Sequence, residues 1–211
     1  MNPFRPAYQA TIQELIMPSA LPNAIAGLSS LEASVRERAA AEIYQSGRSK
    51  AERAIAAWWS DEELSRLLLA QKRELTVGLA VLRETFAKIR SANGVPRLAE
   101  VPSDQDAEEF ELHFSSGVSL DILTSRAPGG DGAIARYLEK FGEGVQQVEF
   151  RTLDVEKSTQ ILKEKFKISA IHSEARAGAD GTKVNFFLIP VPDAGKVLIE
   201  LYQSSGKTEK G

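Results

Sequence analysis

Acids, a glutamine and one histidine, His113, recur at strand spacing in this chain and are the residues whose pattern could do chemistry; the other histidine, His172, reads as an exposed residue near a loop. In 145–152, Val148 and Phe150 suit a helix-covered face, so Gln147, Glu149 and Arg151 share the opposite one. In the last apolar run, GKVLIELYQ, Val197, Ile199 and Leu201 form one set, and Glu200 falls opposite with Leu198 and Tyr202. Earlier, Glu109, Glu111 and His113 alternate with Phe110, Leu112 and Phe114, while Asp121 alternates with Leu120 and Ile122. Thr76 opposes Val77 in the same way. A carboxylate on a sheet face either moves protons or pairs with a cation, and Arg151 is the nearest candidate partner for Glu200.

The elements that must position these groups come in two similar sets. Leu75 to Val81 alternates as a strand, a helix is expected over Arg83–Ser91, and Asn93-Gly94 and Pro96 stop it. A short strand near Arg97–Val101 follows, then strands Glu109–Phe114 and Val118–Leu123 facing each other across Ser115-Ser116-Gly117. The second set follows a short amphipathic helix over 133–141 and has strand 145–152, a longer helix, then strands broken by Gly and Pro turns, among them 183–189 and the final run. Each set reads β-α-β-β-β, a repeat carried by element order rather than by wording. Gly129-Gly130-Asp131-Gly132 resembles a phosphate-cradling turn but lacks the nucleotide-binding patterns, so it reads as a connector between the sets. Gly178 to Gly181 reads as a turn.

Residues 1–73 are different in kind. A weak amphipathic segment, Ala7–Ile16, lies among prolines. Ser29 with Glu32, and Ser60 with Glu63, have the spacing of capping boxes. Leu31, Val35, Ala39 and Ile43 recur at helical spacing, and Gly47 with Arg48-Ser49 is expected to break that helix. A shorter helix should then run from Ala51 to Trp59, and another from Ser60 with Leu64, Leu67 and Leu68 inward. Trp58-Trp59 reads as interhelical packing. The expected organisation is therefore a helical region over 1–73, an α+β domain over 74–203 with modules of about 74–125 and 144–203, and a polar tail over 204–211.

Composition narrows the function. The 211 residues are 43% hydrophobic and 26% charged, with net charge −3 and a pI near 5.6, which advertises neither nucleic acid nor an anionic membrane. There are no cysteines, which removes disulfides, thiolate metal sites and a cysteine nucleophile. The N-terminus lacks a signal-peptide pattern and no run is long enough to span a bilayer, so the expected setting is cytoplasmic.

Two stretches, IARYLEKFGEGVQQVEF and KVLIELYQ, resemble the second half of methylmalonyl-CoA epimerases, of the vicinal oxygen chelate (glyoxalase/bleomycin resistance) superfamily. The resemblance implies paired β-α-β-β-β modules curled around a cleft, a small-molecule ligand and a homodimer. It also implies a divalent metal at the positions of Thr76, Asp121, Gln147 and Glu200. The family places histidine where this chain has Thr76 and Gln147, and a threonine hydroxyl or amide oxygen is a far weaker ligand than imidazole. The metal site therefore reads as degenerate and the cofactor as open. In the family, two acids exchange a proton beside a carbonyl. Here Glu200 would be one, and Glu109 or Glu111 the other by module symmetry. His113, Glu149, Arg151, Asn185 and Tyr202 are the expected substrate contacts. The implied function is proton transfer next to a carbonyl of an acyl-CoA or small oxo-acid, by an isomerase or lyase. The alternative is a non-catalytic, resistance-type binding protein.

Overall fold

A strand with apolar residues on one side only must cover that side, and here every long strand covers it with helices. The computed structural model describes residues 20–68, 75–192 and 195–204. The segment Ala7–Ile16 and the tail 205–211 lie outside the described residues. The helical region holds α1 (Ala20–Gly27), α2 (Ala33–Ala54), a 3-10 turn (Ala56–Ser60) and α3 (Glu62–Leu67). The first module holds β1 (Leu75–Ala80), α4 (Arg83–Ala92), β2 (Glu108–His113) and β3 (Ser119–Thr124). The linking helix α5 (Ala133–Phe141) precedes the second module. That module contains β4 (Gly144–Arg151), α6 (Val155–Phe166), β5 (Arg176–Ala177), β6 (Lys183–Val191) and β7 (Gly195–Gln203).

The strands make one curled mixed sheet in the order β2-β3-β1-β4-β7-β6-β5. β1 and β4 meet antiparallel at its centre, and each has a parallel neighbour, β3 and β7 respectively. This is the expected α+β architecture of paired modules with a helical region before them. No helix of the described residues is long and apolar enough to cross a membrane.

The helix-covered face forms the main core. Val77, Val148, Ile199 and Leu201 are buried there with Ile43, Ile55, Trp58 and Leu64 from the helical region. Trp58 meets Phe187 of β6 edge-on at 6.4 Å, and Trp59 meets Phe150 of β4 in the same way, so the pair packs onto the sheet rather than between helices as expected.

The helical region differs from expectation in three places. Gly47 does not break a helix; α2 runs through it to Ala54. Here glycine serves close approach, since a Cβ on Gly47 would lie 2.7 Å from a methyl of Val77. The segment expected as a helix from Ala51 to Trp59 is divided between the end of α2 and the 3-10 turn. Neither capping box forms. Glu32 and Asp61 occupy the N-cap positions; Ser30 Oγ accepts from the Glu32 N–H, and Asp61 Oδ1 accepts from the Leu64 N–H.

In the first module, Arg97–Val101 is not a strand. Flanked by Pro96 and Pro102, it hydrogen-bonds to β2 only through the Ala99 N–H and the Glu109 carbonyl. Besides bonds within the segment and one from Arg126 to the Val101 carbonyl, it bonds to the second module. Glu100 exchanges hydrogen bonds with Asp180, and Arg97 reaches the same carboxylate at 2.6 Å. The segment is thus a strap between the modules.

Candidate active site

The open face of the sheet walls a cavity of about 890 Å³. β2 contributes Glu109, Glu111 and His113, and β3 contributes Asp121 and Leu123. β4 supplies Gln146, Gln147 and Glu149. From the other arm come Phe186 on β6 and Leu198, Glu200 and Tyr202 on β7. Alternation predicts most of this set, because the partner face of each strand is committed to the core.

Gln146 breaks the alternation. The β1–β4 register passes from Gly78↔Gln147 to Leu79↔Val145, so Gln146 is the extra residue of a β-bulge. A bulge re-aims side chains, and both glutamines consequently line the cavity. Gln146 was absent from the sequence-based candidates; the doubled Gln146-Gln147 was the one local sign of it.

At the centre, Gln147 joins two acids. Its Nε2 donates to Glu149 Oε1 at 3.0 Å and to Glu200 Oε2 at 2.7 Å. The side chain lies over Gly78, where a Cβ would come 2.5 Å from Gln147 Cγ. Glu149 and Glu200 stand side by side in the parallel β4–β7 register. The expected Glu200–Arg151 ion pair does not form: the amide of Gln147 is the partner of Glu200, and Arg151 is exposed at the strand end, outside the cavity lining. Two buried acceptors, Asp121 Oδ1 and Gln146 Oε1, have no hydrogen-bond partner among the described residues.

Crowding acids out of water favours their neutral forms. Burial, helped by the Asp180 and Glu111 charges, raises Glu109 to about 7. Burial raises Glu149 to about 8 although the Gln147 hydrogen bond opposes it. Asp121 and Glu200 are held well above the usual carboxylate range, again by burial first and by the surrounding acids second. Burial also pushes the Tyr202 phenol up to about 12.

The remaining sequence candidates separate clearly. His113 lines the cavity edge, hydrogen-bonded to Glu111 and Ser119. Thr76 is opposite Glu149 in the sheet but does not line the cavity. Asn185 is fully buried on the other face of β6, contacting Thr159 Oγ1 and the His172 carbonyl. Unforeseen lining residues include Phe186, opposite Glu200 on β6, and Arg176, which joins Asp104 and His172 at the rim.

The divalent ion implied by the sequence resemblance does not fit this donor set. Thr76 does not line the cavity, and Gln147 presents N–H donors, not an oxygen, to Glu149 and Glu200. Among the described residues, no three histidine, aspartate or glutamate side chains converge in a way that could hold a metal.

Solved structures with similar folds are known. A methylmalonyl-CoA epimerase from Mycobacterium tuberculosis is 26% identical, with a TM-score of 0.51, over 63% of this chain and 87% of its own. A hypothetical protein from Bacillus halodurans C-125 is 23% identical, with a TM-score of 0.52, over 64% and 95%. A variant of Streptomyces coelicolor methylmalonyl-CoA epimerase, in complex with 2-nitronate-propionyl-CoA, is 27% identical with a TM-score of 0.48, over 62% and 95%. No protein-family model and no curated protein matches this sequence.

Proposed function

We propose that the cavity catalyses proton transfer at a carbon next to a carbonyl, an epimerase-like reaction on an acyl-CoA or small oxo-acid. The observation that carries this reading is the placement of Glu200 and Glu109. They lie on β7 and β2, on opposite sides of the central β1–β4 pair, and both face one cavity. Epimerisation needs that arrangement, because one group removes a proton from one side of a carbon while another returns it from the other. Burial raises both acids, and Glu109, at about 7, is matched to neutral pH, where a group both takes and releases a proton. Similarity to the Mycobacterium tuberculosis epimerase supports the same class of reaction. Nothing in the cavity geometry favours the non-catalytic alternative.

In this scheme Glu200, in its ionised form, accepts the proton on carbon. Gln147 holds one of its oxygens, and the other is left for the substrate. Glu109 donates from the opposite wall, and Phe186 with Leu198 gives the substrate an apolar bed beside Glu200. No step passes through a metal ion.

The test is exchange of the C2 hydrogen of methylmalonyl-CoA in deuterated water, followed by mass spectrometry, with EDTA present. Exchange that persists in EDTA and falls at least ~100-fold in Glu200→Gln is the expected result. Absence of exchange in the unmodified protein, or full exchange in Glu200→Gln, defeats the reading.

A further inference from the structure

Removing a proton beside a carbonyl drives negative charge onto the oxygen, and a donor must already be aimed there. Most donors around the cavity are committed elsewhere. Both Nε2 hydrogens of Gln147 go to Glu149 and Glu200. His113 is held between Glu111 and Ser119. Arg97 forks onto Asp180, Arg176 lies between Asp104 and His172, and Arg136 donates to the Asp131 carbonyl.

Two side-chain donors are not committed to any described residue, the Gln146 amide and the Tyr202 hydroxyl, and of these only Tyr202 stands on the strand that carries Glu200. Tyr202 is two residues beyond Glu200 on β7, so the two side chains leave the same face of the strand roughly 7 Å apart along it. A phenol is long enough to span that gap, so its O–H can meet the carbonyl of a substrate whose neighbouring carbon sits at Glu200. Burial first and the surrounding acids second disfavour the phenolate, so the hydrogen stays on the oxygen at neutral pH.

We propose that Tyr202 is a further catalytic residue, its O–H donating a hydrogen bond to the substrate carbonyl oxygen while Glu200 removes the proton from the adjacent carbon. This rests on the proton-transfer reading above. In the step, the C–H electron pair becomes the second carbon–carbon bond and the carbonyl π pair moves onto oxygen. The proton goes to Glu200, and Tyr202 keeps its own hydrogen. Reprotonation by Glu109 on the opposite face restores the carbonyl. A neutral phenol thus meets the developing charge in a site whose donor set does not suit a divalent ion.

The experiment compares wild-type protein with Tyr202→Phe against two probes, propionyl-CoA and its 2-nitronate analogue, whose planar anion, conjugated with the thioester carbonyl, imitates the enolate. The variant should bind propionyl-CoA within about threefold of wild type and lose on the order of 100-fold toward the nitronate. The kcat for C2 exchange should fall by a similar factor, with KM little changed. Thermal stability should be unaltered, because the hydroxyl has no partner among the described residues to lose. Equal losses for both probes, or none for either, overturn the assignment. So does a clear drop in Tm, which would reveal a structural bond. Wild-type protein that binds neither probe and exchanges no deuterium overturns the proton-transfer reading itself, and the Tyr202 role with it. An active wild type with an equally active Tyr202→Phe variant overturns the Tyr202 role alone.

Discussion

On β4, Val148 and Phe150 are buried among apolar side chains, while Gln147 and Glu149, their sequence neighbours, are buried among acids. The same alternation runs through β7, where Ile199 and Leu201 face the helices and Glu200 faces the cavity. The first face gains free energy by leaving water. The second spends some of it, because removing several carboxyls from water near one another favours the unfolded chain wherever they must ionise. Strain of this kind is tolerated only where the rest of the fold over-determines the structure. The helical region supplies that excess here, laying α2 and Trp58 across the centre of the sheet.

Perturbing each face in turn tests this contrast. Trp58→Ala should have the largest effect, destabilising the protein by about 3–5 kcal/mol in urea unfolding, since its ring is buried against Phe187. A loss below ~1 kcal/mol would show that the helical region does not anchor the sheet.

Gly78→Ala strikes the cavity face. Its methyl would collide with Gln147 Cγ and displace the amide from Glu149 and Glu200, at a cost of about 1–3 kcal/mol. Exchange activity should fall with it. Unchanged stability and activity would mean that the Gln147 clamp is dispensable.

The smallest change, Asp121→Asn, should be stabilising, and only at higher pH. Asp121, Glu109, Glu149 and Glu200 all bind protons more tightly folded than unfolded. Their contribution is complete below the unfolded carboxylate range near ~4–4.5 and is lost as pH rises through the folded values. For Glu109 and Glu149 those are about 7 and about 8. Wild-type Tm should therefore decline from pH 5 to pH 8.5, and Asp121→Asn should decline less. A Tm that rises over that interval would contradict the crowding of the acids.

Much of this was legible beforehand. The faces of β4, β7, β2 and β3 followed from period-two alternation, which placed Glu109, Glu111, Asp121, Gln147, Glu149, Glu200 and Tyr202 on the cavity side. Arg151 and Asn185 were not brought into the cavity. Arg151 is exposed where β4 ends, and Asn185 is on the helix-covered face of β6, a side that depended on how β6 registers against β7. Gln146 was missed because alternation assumes an uninterrupted ladder, and the bulge exists only in the pairing of β4 with β1. The strap over Arg97–Val101 was misread as a strand for a similar reason, since its partner, Asp180, is some eighty residues away.

The sequence by itself determined which residues alternate, where strands and most helices run, and that one face of the sheet would be rich in acids. Those properties are local, set by side-chain periodicity and backbone preference. Only the tertiary structure decided that Gly47 lets α2 close onto Val77, that Gln147 commits its amide to Glu149 and Glu200, and that the Tyr202 hydroxyl has no hydrogen-bond partner among the described residues. Each depends on the distance between strands or helices remote in the chain, which packing sets and no local pattern records.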